Sequence, residues 1–314
     1  MKDTADVASI EQLVLENEAL SLRIAPISGG RITSLVHRPT GSELLWRQPP
    51  LPDWPRYGVP EEAADVQGWD ECCPAIGPGF FPPGPWESVQ NPAQGEVYAL
   101  PWQVQHADRR RVTLSVHGIR FPYMLEREIV LEDSPAKGLG VVRLRYRMAN
   151  HAALPFPFIW SAHPLLDASM GARIVLPSEV QEVIIDSTAS GRLGAAYEKV
   201  RWPHALQTDG RAGDLAHVAP GTGWADKLYI PHVAGGACAL LRSDGLAIHF
   251  HWDVQSIPHL GVWIDTRGDG EARVALEPCL GYPDLLAGAA VWGQYQVLAA
   301  GAERRWELLV SVMR

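Results

Sequence analysis

Alternation of apolar and polar residues begins early in this chain and recurs almost to its end. Between Leu13 and Ala25, Leu20, Leu22 and Ile24 alternate with Ser21 and Arg23 behind a turn at Glu16-Asn17-Glu18, a pattern that predicts a β-hairpin. Gly29-Gly30-Arg31-Ile32-Thr33-Ser34-Leu35-Val36 continues it as a third strand, and Pro39-Thr40-Gly41-Ser42 turns the chain before Glu43-Leu44-Leu45-Trp46. Alternation returns at Trp102 to Gln105, Val112 to Val116, Tyr123 to Leu131 and Gly140 to Met148. The second half repeats it at Arg173 to Leu176, Cys238 to Leu241, Leu246 to Trp252, Leu260 to Ile264, Arg273 to Glu277 and Trp306 to Met313. Short strands at this spacing, separated by turn signals, predict an all-β chain folded as a large antiparallel sandwich. No long amphipathic helix, glycine-rich phosphate loop or sharp internal repeat interrupts the series.

One stretch breaks the pattern. From Pro49 to Pro92, prolines and glycines crowd together with scattered aromatics (Trp54, Tyr57, Trp69, Phe80, Phe81, Trp86), and periodicity is lost. Segments that stay disordered are poor in aromatics, so the stretch is expected to be an ordered excursion at the rim of a binding site.

Composition agrees with strands and turns. Of 314 residues, 46% are apolar, 29 are glycine and 26 proline, which allows a sizeable core and disfavours long helices. A sandwich of this length runs as one unit, so a single domain over residues 1–314 is expected, with residues 1–12 a loose tail. The formal net charge is −9, and Arg109-Arg110-Arg111 is the one basic run, which argues against a nucleic-acid partner. No apolar stretch is long enough to cross a bilayer and no signal-peptide pattern opens the chain, so a soluble, cytoplasmic protein is expected, monomeric or homodimeric. Cys72, Cys73, Cys238 and Cys279 include no CxxC pair and read as buried free thiols.

Two distant segments carry candidate chemistry. Phe158 to Asp167 and Val274 to Asp284 each place one proton-transfer residue, His163 or Glu277, at the end of an apolar run and follow it with proline, which predicts that each strand stops there. A histidine and a carboxylate facing one ligand suit reactions that move one proton on and another off, such as opening and closing a sugar ring. Glu277 is flanked by Ala275, Leu276 and Pro278, a setting an unpaired carboxylate would not tolerate.

The order of motifs resembles the aldose 1-epimerase (mutarotase) superfamily. The carriers are Gly29-Gly30-Arg31-Ile32, Pro74 to Pro78, Phe121-Pro122-Tyr123 leading a strand, Asn150 ahead of His163-Pro164, and Leu276-Glu277-Pro278. The resemblance runs from about Leu13 to the end and implies the large antiparallel sandwich of that superfamily, a sugar substrate and no cofactor. It implies that His163 is the general acid toward the ring oxygen and Glu277 the general base toward the anomeric hydroxyl. Asp226 resembles a sugar-binding aspartate, and Asp70, Glu71 and Trp69 fall in a stretch near the site, with Trp69 able to stack on a sugar face.

The match is incomplete at one place. Where many members carry His-Gly shortly before a Pro-Trp strand, this chain reads Gln94-Gly95 ahead of Pro101-Trp102, and its own His117-Gly118 comes later. Two further readings stay open: a sugar-binding protein without turnover, and an enzyme of this fold acting on a sugar acid or sugar phosphate, for which Arg31, Arg127 or Arg173 would have to reach the cleft. His249, His251 and Asp253 share one face of a strand and could ligate a metal, but the simpler reading is a half-exposed strand with Ile248, Phe250 and Trp252 in the core, and no metal is expected.

Overall fold

The alternating segments pair as antiparallel strands in two large sheets, one of eleven strands and one of nine. The computed structural model describes residues 12–48, 57–59, 67–134, 136–268 and 270–314. The expected tail, apart from Gln12, and Trp54 in the proline-rich stretch lie outside the described residues. The hairpin forms as read, with Leu13–Glu16 on Leu20–Ala25, and Arg31–His37 follows as the third strand. In the nine-stranded sheet, Tyr123–Glu132 lies between Arg111–His117 and Gly140–Asn150, and its buried residues alternate with half-buried ones along its whole length. Ile248 and Phe250 turn into the core from Ala247–Trp252, while His249 and His251 turn out. All four cysteines are buried free thiols.

At the centre of the eleven-stranded sheet run, side by side, Arg31–His37, Trp69–Cys72, Ser161–Asp167, Arg273–Cys279, His259–Asp265, Ala225–Ile230 and Glu182–Thr188. Three of these depart from the expectations above. Trp69–Cys72 lies inside the stretch that reads as an irregular excursion, yet it is a central strand. All four of its residues are buried, so neither face supplies the polar half of an alternating pattern. Nor do the prolines end their strands: Pro164 and Pro278 sit within Ser161–Asp167 and Arg273–Cys279.

What the prolines do instead is open the ladder between those two strands. The strands pair at Ser161 with Cys279 and again from Leu165 with Ala275 to Asp167 with Arg273, but not between. Leu165 donates its N–H to Gly68 on the far side, and Leu280 donates to Trp160 on the near side, so the missing N–H groups of Pro164 and Pro278 both belong to the shared seam. Each strand remains bonded on its other edge, with His163 opposite Asp70 and Glu277 opposite Gly261.

Between the sheets lies one apolar core that draws on residues from Leu15 to Val312. An ion pair is sealed inside it. Glu71, fully buried, accepts from Arg127 at 2.8 Å, from the Tyr146 hydroxyl at 3.0 Å and from the Trp160 indole at 2.9 Å. Burial pushes its carboxyl up to about 7, against the pull of Arg127. Arg127 also donates to the Gly30 carbonyl and lies over the Trp102 ring. Removing one partner of such a pair leaves a charge without compensation. Arg127→Met is therefore expected to destabilise the fold by about 3–5 kcal/mol in urea unfolding near pH 8, and by less near pH 5, where Glu71 can take up a proton.

Candidate active site

Strand alternation sorts the charged residues of the central strands onto two faces. Trp69 packs on Phe250 of the second sheet and Glu71 on Arg127, so both point inward, and the residue between them, Asp70, points outward. The pairing of Asp70 with His163 carries that orientation to the next strand. On the same outward face, Glu277 Oε1 lies 3.8 Å from His163 Nε2, and Lys227 Nζ lies 2.5 Å from Glu277 Oε2. Arg31 donates to Asp70 at 2.6 Å. The side chains of Arg31, Asp70, His163, Glu277 and Lys227, from five strands, thus form one row across six, and every member is buried.

Gly261 makes the row possible at its middle. A Cβ there would lie 3.3 Å from Glu277 Oε2 and 3.2 Å from the Tyr229 ring, crowding both. Ser161 Oγ stands 3.5 Å from Glu277 Oε2, so that oxygen is doubly approached. Glu277 Oε1 and His163 Nδ1 are both buried and have no hydrogen-bond partner among the described residues. Two unpartnered polar atoms on adjacent side chains are what a polar ligand would satisfy.

Around the row stand groups that the sequence reading did not single out. Lys227 also faces Asp284 Oδ1 at 3.6 Å, and Asp284 accepts from the Tyr229 hydroxyl and donates its backbone N–H to Asp186 at 3.4 Å. Trp263 stands beside His163, with ring centroids 6.4 Å apart, and Arg273 lies over Trp46 and Trp263 while donating to Asp265 at 3.0 Å. Gln94, which the sequence did set apart, has φ 61° and accepts from the Cys72 thiol at 2.9 Å. Cys72 is on the outward face two residues from Asp70, so Gln94 belongs to the edge of the row.

Three of the residues singled out from the sequence are not brought to this face. Trp69 and Glu71 point into the core for the reason already given. Asp226 precedes Lys227 in its strand and therefore points the other way; its carboxylate is closed by Arg192 and by the Thr188 hydroxyl at 2.6 Å. The aromatic next to His163 is Trp263, and the charged residue contributed by Ala225–Ile230 is Lys227. Adjacent residues of unlike character, Asp226-Lys227 and Asp70-Glu71, mark strands from which only one of the two can reach a site, and the pairing register decides which.

Burial dominates the electrostatics. It pushes the His163 imidazole down to about 3, helped by the positive charges of Lys227, Arg31 and Arg273. It pushes Glu277 up to about 7, opposed by Lys227 and reinforced by Asp284. Lys227 is raised despite its own burial, because Asp284, Glu277 and Asp186 surround it. Asp186 is pushed up to about 7 by burial and by the charge of Asp284.

The fold has close counterparts among solved structures. The Slr1438 protein of Synechocystis aligns over 100% of this chain and 99% of its own, with a TM-score of 0.74 and 17% identity. A galactose mutarotase-like protein of Lactobacillus casei covers 96% of this chain and 100% of its own at a TM-score of 0.62 and 18% identity. A galactose mutarotase related enzyme of Lactobacillus acidophilus covers 97% and 98% at a TM-score of 0.67 and 13% identity. No protein-family model and no curated relative matches the sequence. The chain therefore has the galactose mutarotase-like fold, as the order of its motifs implied.

The ionisation of His163 can be read directly. Nitrogen NMR of the imidazoles, with His163→Ala to assign the signal, should find the ring neutral from pH 7 down to below pH 5; a midpoint near the ordinary value of about 6.5 would contradict the electrostatic account. Because the unfolded chain takes up that proton below about pH 6.5 and the folded one does not, His163 should contribute stability that is present above that pH and lost as pH falls toward 3.

Proposed function

We propose that this protein is an aldose 1-epimerase-like isomerase that interconverts the α and β anomers of an uncharged sugar, with His163 and Glu277 exchanging the protons. The observation that carries the reading is the facing pair itself: two buried proton-transfer groups 3.8 Å apart, each with a buried polar atom that has no partner among the described residues, at the seam where Pro164 and Pro278 remove the ladder. Opening the ring breaks the bond between the anomeric carbon and the ring oxygen; the ring oxygen gains a proton as the anomeric hydroxyl loses one. One group donates and the other accepts, and closure on the opposite face of the aldehyde reverses their roles. The pair must therefore hold one proton between them, whichever group carries it at the outset.

An uncharged substrate is supported by how the cations are engaged. On the outward face, Arg31 is held by Asp70, Lys227 by Glu277 and Asp284, and Arg273 by Asp265. Of the other arginines that could serve an anionic sugar, Arg127 is sealed between the sheets, and Arg173, on Ala172–Val175 of the nine-stranded sheet, pairs with Asp214. A phosphate would meet cations already neutralised and the carboxylate of Asp284 beside Lys227. Trp263 supplies an aromatic face beside His163 for a sugar ring.

Exchange NMR between anomers of aldoses tests the reading. Catalysed exchange is expected for at least one unphosphorylated aldose and not for its 6-phosphate, and His163→Ala and Glu277→Gln should each slow it by about 10²–10⁴-fold. Since Glu277 loses its proton through about pH 7 and the pair is then empty, kcat/KM should fall as pH rises above that value. Calorimetric sugar binding without any exchange would point instead to a binding protein.

A further inference from the structure

We propose that Lys227 is a positioning residue that sets the pH window of the His163–Glu277 pair, by holding one oxygen of Glu277 and fixing a positive charge beside the imidazole. This rests on reading His163 and Glu277 as the proton-transfer pair. The geometry divides the Glu277 carboxylate between two tasks: Oε2 is taken by Lys227 at 2.5 Å, and Oε1 is left toward His163. The lysine has no room to wander. It is 4% exposed and its ammonium lies over the Tyr229 ring.

A buried charge is screened little by salt or water, so its influence falls on every titrating group nearby. Toward Glu277 face Lys227 from Ala225–Ile230, His163 and Ser161 from Ser161–Asp167, Asp284 beyond its own strand, and Asp186 from Glu182–Thr188; Asp70 and Cys72 follow on Trp69–Cys72. Toward His163 face Glu277, Lys227, Arg31 and Arg273. Among these, Lys227 is the cation in contact with the pair, since Arg31 and Arg273 bond to Asp70 and Asp265. Its charge favours ionised Glu277 and neutral His163, and so lowers both transitions together. Without it, both should rise.

The test reads the two groups directly. Carbon NMR of the glutamate carboxyls, assigned with Glu277→Gln, and nitrogen NMR of the imidazoles are recorded against pH in the whole protein and in Lys227→Gln. Both midpoints are expected to move upward by about one pH unit or more, a tenfold change in each proton affinity, and the falling limb of kcat/KM should move with them. Lys227→Arg, which keeps the charge, should hold both midpoints within about half a unit. Unchanged midpoints in a folded Lys227→Gln protein would overturn the proposal, leaving Lys227 a structural ion pair. So would a displacement of a unit or more in Lys227→Arg, a readout that serves even if Lys227→Gln does not fold. These titrations need no substrate. A chain that exchanges the anomers of no sugar would overturn the proposed reaction, while the midpoints would still decide the part played by Lys227.

Discussion

An ionised carboxylate inside a protein requires compensation, and the eleven-stranded sheet meets that requirement at Glu277 through Lys227. The cost of taking either charge out of water is several kcal/mol, which an attraction at close range offsets only when the geometry is good. Here the geometry depends on three strands at once: Arg273–Cys279 presents the carboxylate, Ala225–Ile230 the ammonium, and His259–Asp265 lies between them with Gly261 at the crossing point. The pair can form only if those strands hold their register. A slip by one residue would exchange Lys227 for Asp226 and bring two carboxylates to the same face.

The same two-residue period explains how much of the molecule could be read from the sequence. Strands with one face on the core and the other in solvent, such as Tyr123–Glu132, show their alternation openly, and the sandwich follows from them. Trp69–Cys72 does not, because it is buried on both faces and its letters alternate in nothing. His163 and Glu277 were legible for the opposite reason: a polar residue within an apolar run next to proline is conspicuous. Their prolines misled only about consequence. They predict the end of a strand when taken alone, but two of them on a shared seam leave each strand bonded on its outer edge and simply part the ladder.

Legibility stopped at orientation. Asp70-Glu71 and Asp226-Lys227 each offer two charged residues in succession, and nothing within either segment says which one turns outward. That information resides in the partners: Trp69 against Phe250 and Glu71 against Arg127 fix the first strand, and Lys227 against Glu277 fixes the other. Trp263 is similar. Composition shows tryptophans in plenty, while only the register of His259–Asp265 places one of them beside His163.

The charges at this site are therefore matched among its own residues. Lys227, Arg31 and Arg273 are each bound to a carboxylate, and their combined charge holds His163 neutral, while Lys227 alone of the three acts on Glu277. The neutral groups at this face are Trp263 beside His163 and Gln94 at the edge. Gln94 holds a backbone conformation that side chains other than glycine seldom adopt, and it is kept there by its N–H on Ile76 and by Gly95, which has no room for a Cβ against Cys73. An amide in that position both donates and accepts, and it does not titrate. A histidine in its place would bring a further titrating group near a pair whose charge state is already set by its neighbours. The glutamine thus leaves this edge without a group that titrates.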